Sequence, residues 1–135
     1  MERSILDEIN ERIADLQGWK RLDGKYIRWR NPEGKLKSLL PDWAGNMAFA
    51  IQLLKEIKSA GIAVGLIHNP LVGAMSVEGW IAYCRSTNSK ELAATWKYYH
   101  FEHHDEDPEV AISMMYISWK EWVLNHPPEE TPESA

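Results

Sequence analysis

The hydrophobic spacing of this sequence changes from a helical period to a strand-like one and back, and that alternation constrains the fold more than any other feature. Residues 4–17 place Ile5, Leu6, Ile9, Ile13 and Leu16 at steps of three and four, the apolar face of a helix. Ser4 with Asp7 three positions on forms a capping signal, Gly18 supplies the stop, and Trp19 turns the chain back to pack. Pro41-Asp42 opens a second helix with Asp42 as its cap. Ala44, Met47, Ala48, Ile51, Leu54 and Ile57 form its buried stripe to about Ala60, and Gly61 stops it.

Beyond Gly61 the period shortens. Ile62–Ile67 is a short apolar run suited to a strand, which Asn69-Pro70 breaks. Val77–Arg85, centred on Trp80 to Tyr83, reads as a second strand, and Leu92–Glu102 as a third. Ser86-Thr87-Asn88-Ser89 supplies the turn between those two, so a meander is expected. Helical spacing returns after Asp107, the expected cap, with Pro108 in the first position, where a missing N–H costs nothing. Ala111, Met114, Met115, Ser118 and Trp122 mark the buried side of this last helix. It ends before His126-Pro127-Pro128, and 126–135 reads as a disordered acidic tail. Between the first two helices, residues 25–40 read as a short hairpin, or a loop with two brief strands, around the turn Asn31-Pro32-Glu33-Gly34. The expected class is α+β, an antiparallel sheet of three or more strands covered by helices, in one domain over 1–125.

A chain of 135 residues buries a core without disulfides, and its single Cys84, inside an apolar strand, reads as a buried small residue. No apolar run approaches the ~18 residues of a membrane span, and MERSILDEINERI is charged throughout, so neither a membrane anchor nor a secretory signal is expected. A cytoplasmic location follows as the default. The net charge of −5 is unevenly spread. Residues 20–37 carry seven bases and two acids, for +5, whereas residues 102–135 carry nine acids and one base, for −8. Overall acidity makes a nucleic-acid duplex an unlikely ligand and leaves a small phosphorylated ligand or an acidic protein patch as targets for the basic stretch.

Four segments together resemble the phage ABA-sandwich domain family, small proteins of phages and prophages. They are LeuGlnGlyTrp at 16–19, LeuProAspTrpAlaGlyAsnMetAlaPheAlaIle at 40–51, the strand around Trp80, and ProGluValAlaIleSer at 108–113. The resemblance spans most of residues 5–124. The basic segment 20–37 and HisPheGluHisHisAspGluAsp at 100–107 depart from the family's shorter pattern. It implies an α/β/α layered sandwich and a phage genome context, and it transfers no catalytic residue and no cofactor.

Three groups of residues are candidates for function. Tyr26, Arg28 and Arg30 alternate to one side of a strand and Lys25, Ile27 and Trp29 to the other. Arginines beside an aromatic suit a phosphate, a base or an acidic protein surface, and a soluble edge strand with Trp29 on the core is the structural alternative. Trp119 and Trp122, one turn beyond Met114 and Met115, suit an adaptable partner surface or core packing. His100, Glu102 and His104 fall on one face of a continuing strand and offer a ligand set for a transition metal. The plainer alternative is a solvated strand end before a helix N-terminus. No phosphate-binding loop, dinucleotide fingerprint, nucleophile elbow or zinc-finger spacing is present, and no cofactor is expected.

Three readings of function follow. The first is a non-enzymatic phage accessory protein that blocks a host protein or immunity complex through Arg28, Trp29 and Arg30, or through the acidic strip 102–109. The second is a binder that sequesters a nucleotide-like signal, and the third, ranked last, is a metal-dependent hydrolase. A homo-oligomer is compatible with all three. The seven tryptophans read first as the means of building a small core, with Trp19, Trp43, Trp80 and Trp96 packed at element boundaries and strands.

Overall fold

The computed structural model describes residues 4–69, 79–86 and 100–126. Helix α1, Ile5–Gln17, begins with the reciprocal cap expected: Ser4 Oγ accepts from the Asp7 N–H, and the Asp7 carboxylate accepts from the Ser4 N–H. Gly18 ends it at φ 91°, a left-handed conformation that a side chain would strain. Ile9, Asn10, Ile13 and Ala14 are its buried residues. Ile5, 75 % exposed, and Leu6 do not join them as expected, because the first turn projects past the core.

The chain then makes a small antiparallel sheet where a two-stranded hairpin was expected: β1 (Lys20–Leu22), β2 (Arg28–Arg30) and β3 (Leu36–Lys37), in that order. The Asn31–Gly34 turn joins β2 to β3. The Asn31 side-chain oxygen accepts from the Lys35 N–H, and its carbonyl accepts from Gly34. Residues 25–27 fall outside the strand they were expected to begin.

Helix α2 is Met47–Ser59, capped by Asn46, whose side-chain oxygen accepts from the Ala48 N–H. The expected start at Pro41-Asp42 is displaced because Asp42 closes a tight turn of its own, accepting from the Gly45 N–H. The later start rotates the stripe. Ala50, Leu53 and Ile57 are buried, while Ala48 and Ile51 face outward. Gly61, at φ 83°, turns the chain into β4 (Ile62–Asn69).

Strands β4, β5 (Gly79–Ser86) and β6 (His100–Asp105) form the larger sheet, antiparallel and in sequence order, as a meander requires. β6 continues beyond Glu102, where the expected third strand ended. The start expected for that strand, the 86–89 turn beyond Ser86, Trp96, the Pro70 break and the tail beyond His126 lie outside the described residues.

The final helix, α3 (Pro108–Asn125), starts with Pro108 as expected, but Asp107 makes no side-chain cap. Instead the Asp105 carboxylate accepts from the Asp107 N–H. α3 packs on β5 and β6 of the large sheet and also against α1 and α2, while α2 reaches the same sheet at β4. A helix covered on two sides has no single buried stripe. Ala111, Ile112, Ser113, Met115, Tyr116, Ile117 and Trp119 are buried, while Met114, Ser118 and Trp122, expected on the buried side, are only half-covered. Ile13, Leu53, Ile57 and Ile112 meet here, and full burial of each contributes about 1.5–3 kcal/mol.

A polar cluster ties the three helices. Tyr116 Oη donates to Glu56 Oε2 at 2.8 Å, and Lys120 Nζ reaches the same oxygen at 3.0 Å. Gln17 donates toward both Glu56 and Tyr116 and accepts from the Trp19 indole. Burial, with Glu56 beside it, pushes the Tyr116 phenol well above its ordinary range. Trp19 meets the buried Trp43 edge-to-face at 6.1 Å, so both pack as expected. The result is an α+β fold with antiparallel sheets against which helices pack. No helix among the described residues is long and apolar enough to cross a membrane.

Candidate functional site

The two faces of the small sheet differ in charge. Its register pairs Lys20 with Arg30 and Arg30 with Leu36, and in the next row Leu22 with Arg28. Because side chains alternate, Lys20, Leu22, Arg28, Arg30 and Leu36 share one face, and Arg21, Trp29 and Lys37 share the other. On the first face Lys20, Arg28 and Arg30 are exposed, and among the described residues no carboxylate pairs with them. Leu36 is half-exposed beside them, and Tyr26, preceding β2, is largely exposed. Leu22, Lys25, Tyr26, Arg28 and Leu36 border a shallow depression of about 330 Å³, with Asp23, the partner of Arg21, and Gly24 at its edge. On the second face Arg21 is neutralised, with Glu11 at 3.4 Å and Asp23 at 3.0 Å.

The structure therefore keeps Tyr26, Arg28 and Arg30 close together and separates Trp29 from them. Trp29 is half-buried against the core and lines a cleft between the small sheet and α1. Leu22 and Leu36 belong to the basic face but were not expected there, and Lys20 was expected only as part of the basic stretch, because no strand was read at 20–22. The signal was present in Asp23-Gly24, a turn dipeptide that ends β1.

Trp119 is 3 % exposed and belongs to the core, with Tyr116 beside it at 5.9 Å, and Met115 is fully buried. Packing between two layers removes both from an adaptable surface. Trp122 is half-buried, stacked on His126 at 4.5 Å and tilted against Phe101.

His100, Glu102 and His104 do share the exposed face of β6. Glu102 lies between the histidines, its Oε1 3.5 Å from His100 Nε2 and its Oε2 3.3 Å from His104 Nε2. Tyr83 on β5 stacks on His100 with rings 4° from parallel. The same tyrosine covers Gly65 of β4, where a Cβ would stand 2.3 Å from its ring. Among the described residues no group of three or more His, Cys, Asp or Glu is arranged to hold a metal ion. The intervening His103 turns inward, its Nε2 2.8 Å from Ser118 Oγ, and burial lowers its pKa, assisted by neighbouring His104. Cys84 is buried, and loss of solvent pushes its thiol up to about 12, which makes it inert as a nucleophile near neutrality.

No family model matches this chain, and no match was found among curated proteins or among solved structures.

Proposed function

We propose that this chain is a non-enzymatic binding protein whose small sheet docks on an acidic surface of a partner protein. The observation that carries the reading is the asymmetry of the sheet: among the described residues Lys20, Arg28 and Arg30 have no carboxylate partner on the face that also presents Tyr26 and Leu36, while on the other face Arg21 is neutralised and Lys37 is the remaining cation. Unpaired exposed cations around exposed apolar side chains favour association with a face of opposite charge, through both encounter rate and register. Arg28 and Arg30 add a planar fork suited to carboxylates. The resemblance to phage ABA-sandwich proteins supplies a setting, in which the partner is a host protein or immunity complex and binding blocks it.

A phosphorylated small ligand is the competing reading for the same arginines. The open shape of the face argues against it, since sites for small ligands bury most of the ligand's surface. Of the two aromatics near the arginines, Trp29 lies on the opposite face, and Tyr26, which stays beside them, is largely exposed and forms no enclosing wall.

Calorimetric titration with polyglutamate and, separately, with ATP discriminates the two. The expected result is salt-dependent polyglutamate binding that weakens at least tenfold in the Arg28→Glu/Arg30→Glu variant, with no saturable ATP binding. Saturable ATP binding without polyglutamate binding would overturn the proposal, as would polyglutamate binding that the double variant leaves unchanged.

A further inference from the structure

We infer that the cleft between α1 and the small sheet is a second recognition site, one that takes an arginine or lysine side chain carried on an apolar stretch of a partner polypeptide. The cleft measures about 510 Å³, and Trp29 and Leu40 form part of its apolar lining. Leu39, 81 % exposed, and the half-exposed Ile27 and Leu6 also line it. Its charged groups are Asp7, Glu11, Asp42 and Arg21. Glu11 and Arg21 face each other at 3.4 Å, leaving Asp7 and Asp42, with which no cation pairs among the described residues. The lining thus combines an aromatic wall, exposed aliphatic groups and two carboxylates without a cationic partner among the described residues, Asp7 capping α1 and Asp42. A cation on an apolar stem is the complementary ligand, its charge meeting the carboxylates and its methylenes covering Trp29 and Leu39.

Asp42 is held in place for this role. Asn10 is 7 % exposed and spends both ends of its amide here, donating from Nδ2 to Asp42 Oδ1 at 2.9 Å and accepting from the Ala44 N–H at 2.8 Å. The Gly45 N–H also donates to Oδ1, and a Cβ on Gly45 would stand 2.5 Å from Oδ2, so only glycine lets the carboxylate lie this close. All the bonds that position Asp42 fall on Oδ1. Oδ2 has no hydrogen-bond partner among the described residues and remains available to an incoming donor. A carboxylate fixed by a buried amide loses little freedom when it binds, which favours a charge-assisted hydrogen bond there.

The probe is the capped peptide acetyl-Leu-Arg-Leu-amide, with acetyl-Leu-Gln-Leu-amide as the neutral control, each followed by the indole N–H resonance of Trp29. The arginine peptide is expected to shift that resonance saturably, and the glutamine peptide to bind at least tenfold more weakly. Asp42→Asn retains an oxygen for Asn10 and Gly45 while removing the charge, and is expected to weaken the arginine peptide by about tenfold, the worth of one charge-assisted bond. Equal binding of the two peptides to the unaltered protein would overturn the inference without any variant. An Asp42→Asn protein of unchanged melting temperature that binds the arginine peptide as tightly as before would also overturn it. The cleft lies on the face of the small sheet opposite Arg28 and Arg30, so its test and that of the acidic partner fail independently.

Discussion

Two buried polar side chains, Asn10 and Ser113, show how differently this fold treats hydrogen-bonding groups. Asn10 is fully used, with Asp42 on one end of its amide and Ala44 on the other. Ser113 is wholly buried on α3, and its hydroxyl has no hydrogen-bond partner among the described residues. A buried hydroxyl without a partner has lost its water and gained nothing in return. Ser113→Ala is therefore expected to raise stability by about 1 kcal/mol, by removing that cost and by improving helix propensity. Urea unfolding checks this, and a loss of stability would mean that the hydroxyl is satisfied in the fold. Neither residue was marked by the sequence reading. A polar letter inside a helix carries no sign of which tertiary partner, if any, will meet it.

At the scale of elements, legibility follows how local the determining interactions are. The α1 caps were readable because Ser4, Asp7 and Gly18 act within one turn of the chain. The start of α2 was misread because Asp42 and Asn46 are both good capping residues, and only the Asp42–Gly45 turn decides between them. Three-residue strands such as β1 leave too short a pattern to register, so the place of Leu22 and Lys20 beside Arg28 and Arg30 was missed. The buried side of α3 was misassigned because contact on two sides removes the polar stripe that marks an amphipathic helix. The packing of α3 on β6 also carries a pH dependence. His103 bonds Ser118 across that contact, and its pKa is lowered by burial and then by His104. A lowered pKa means that the unfolded chain takes up this proton first as pH falls below about 6.5. The His103 contribution is accordingly present above that pH and is lost as pH falls through the folded value. Unfolding measured at pH 7.5 and pH 5.0 is expected to show a smaller acid-side loss in His103→Gln than in the parent protein. Equal losses would remove His103 from the account.

At the scale of the whole molecule, the two sheets divide the work. The large sheet, α1, α2 and α3 bury Ile13, Leu53, Ile57, Ile112 and Tyr116 in one cluster. The small sheet adds only Trp29 among the partly buried residues packed on that cluster. The small sheet presents Lys20, Arg28 and Arg30 on one face and, with Arg21 and Trp29 on the other, borders a partly acidic cleft. This division was half visible in the charge count, since residues 20–37 hold +5 within a chain of −5. What the count could not show is that Lys20, Arg28 and Arg30 gather on one face while Arg21 and Lys37 fall on the other, because that depends on a register set by β1 and β3. The central claim, that the basic face is where an acidic partner docks, is tested most directly by mapping backbone amide shifts in ¹⁵N-labelled protein as polyglutamate is added. The account predicts shifts concentrated at residues 20–30 and 35–37, reversing with salt. Shifts centred instead on the exposed β6 row of His100, Glu102 and His104, with β1–β3 unmoved, would contradict it.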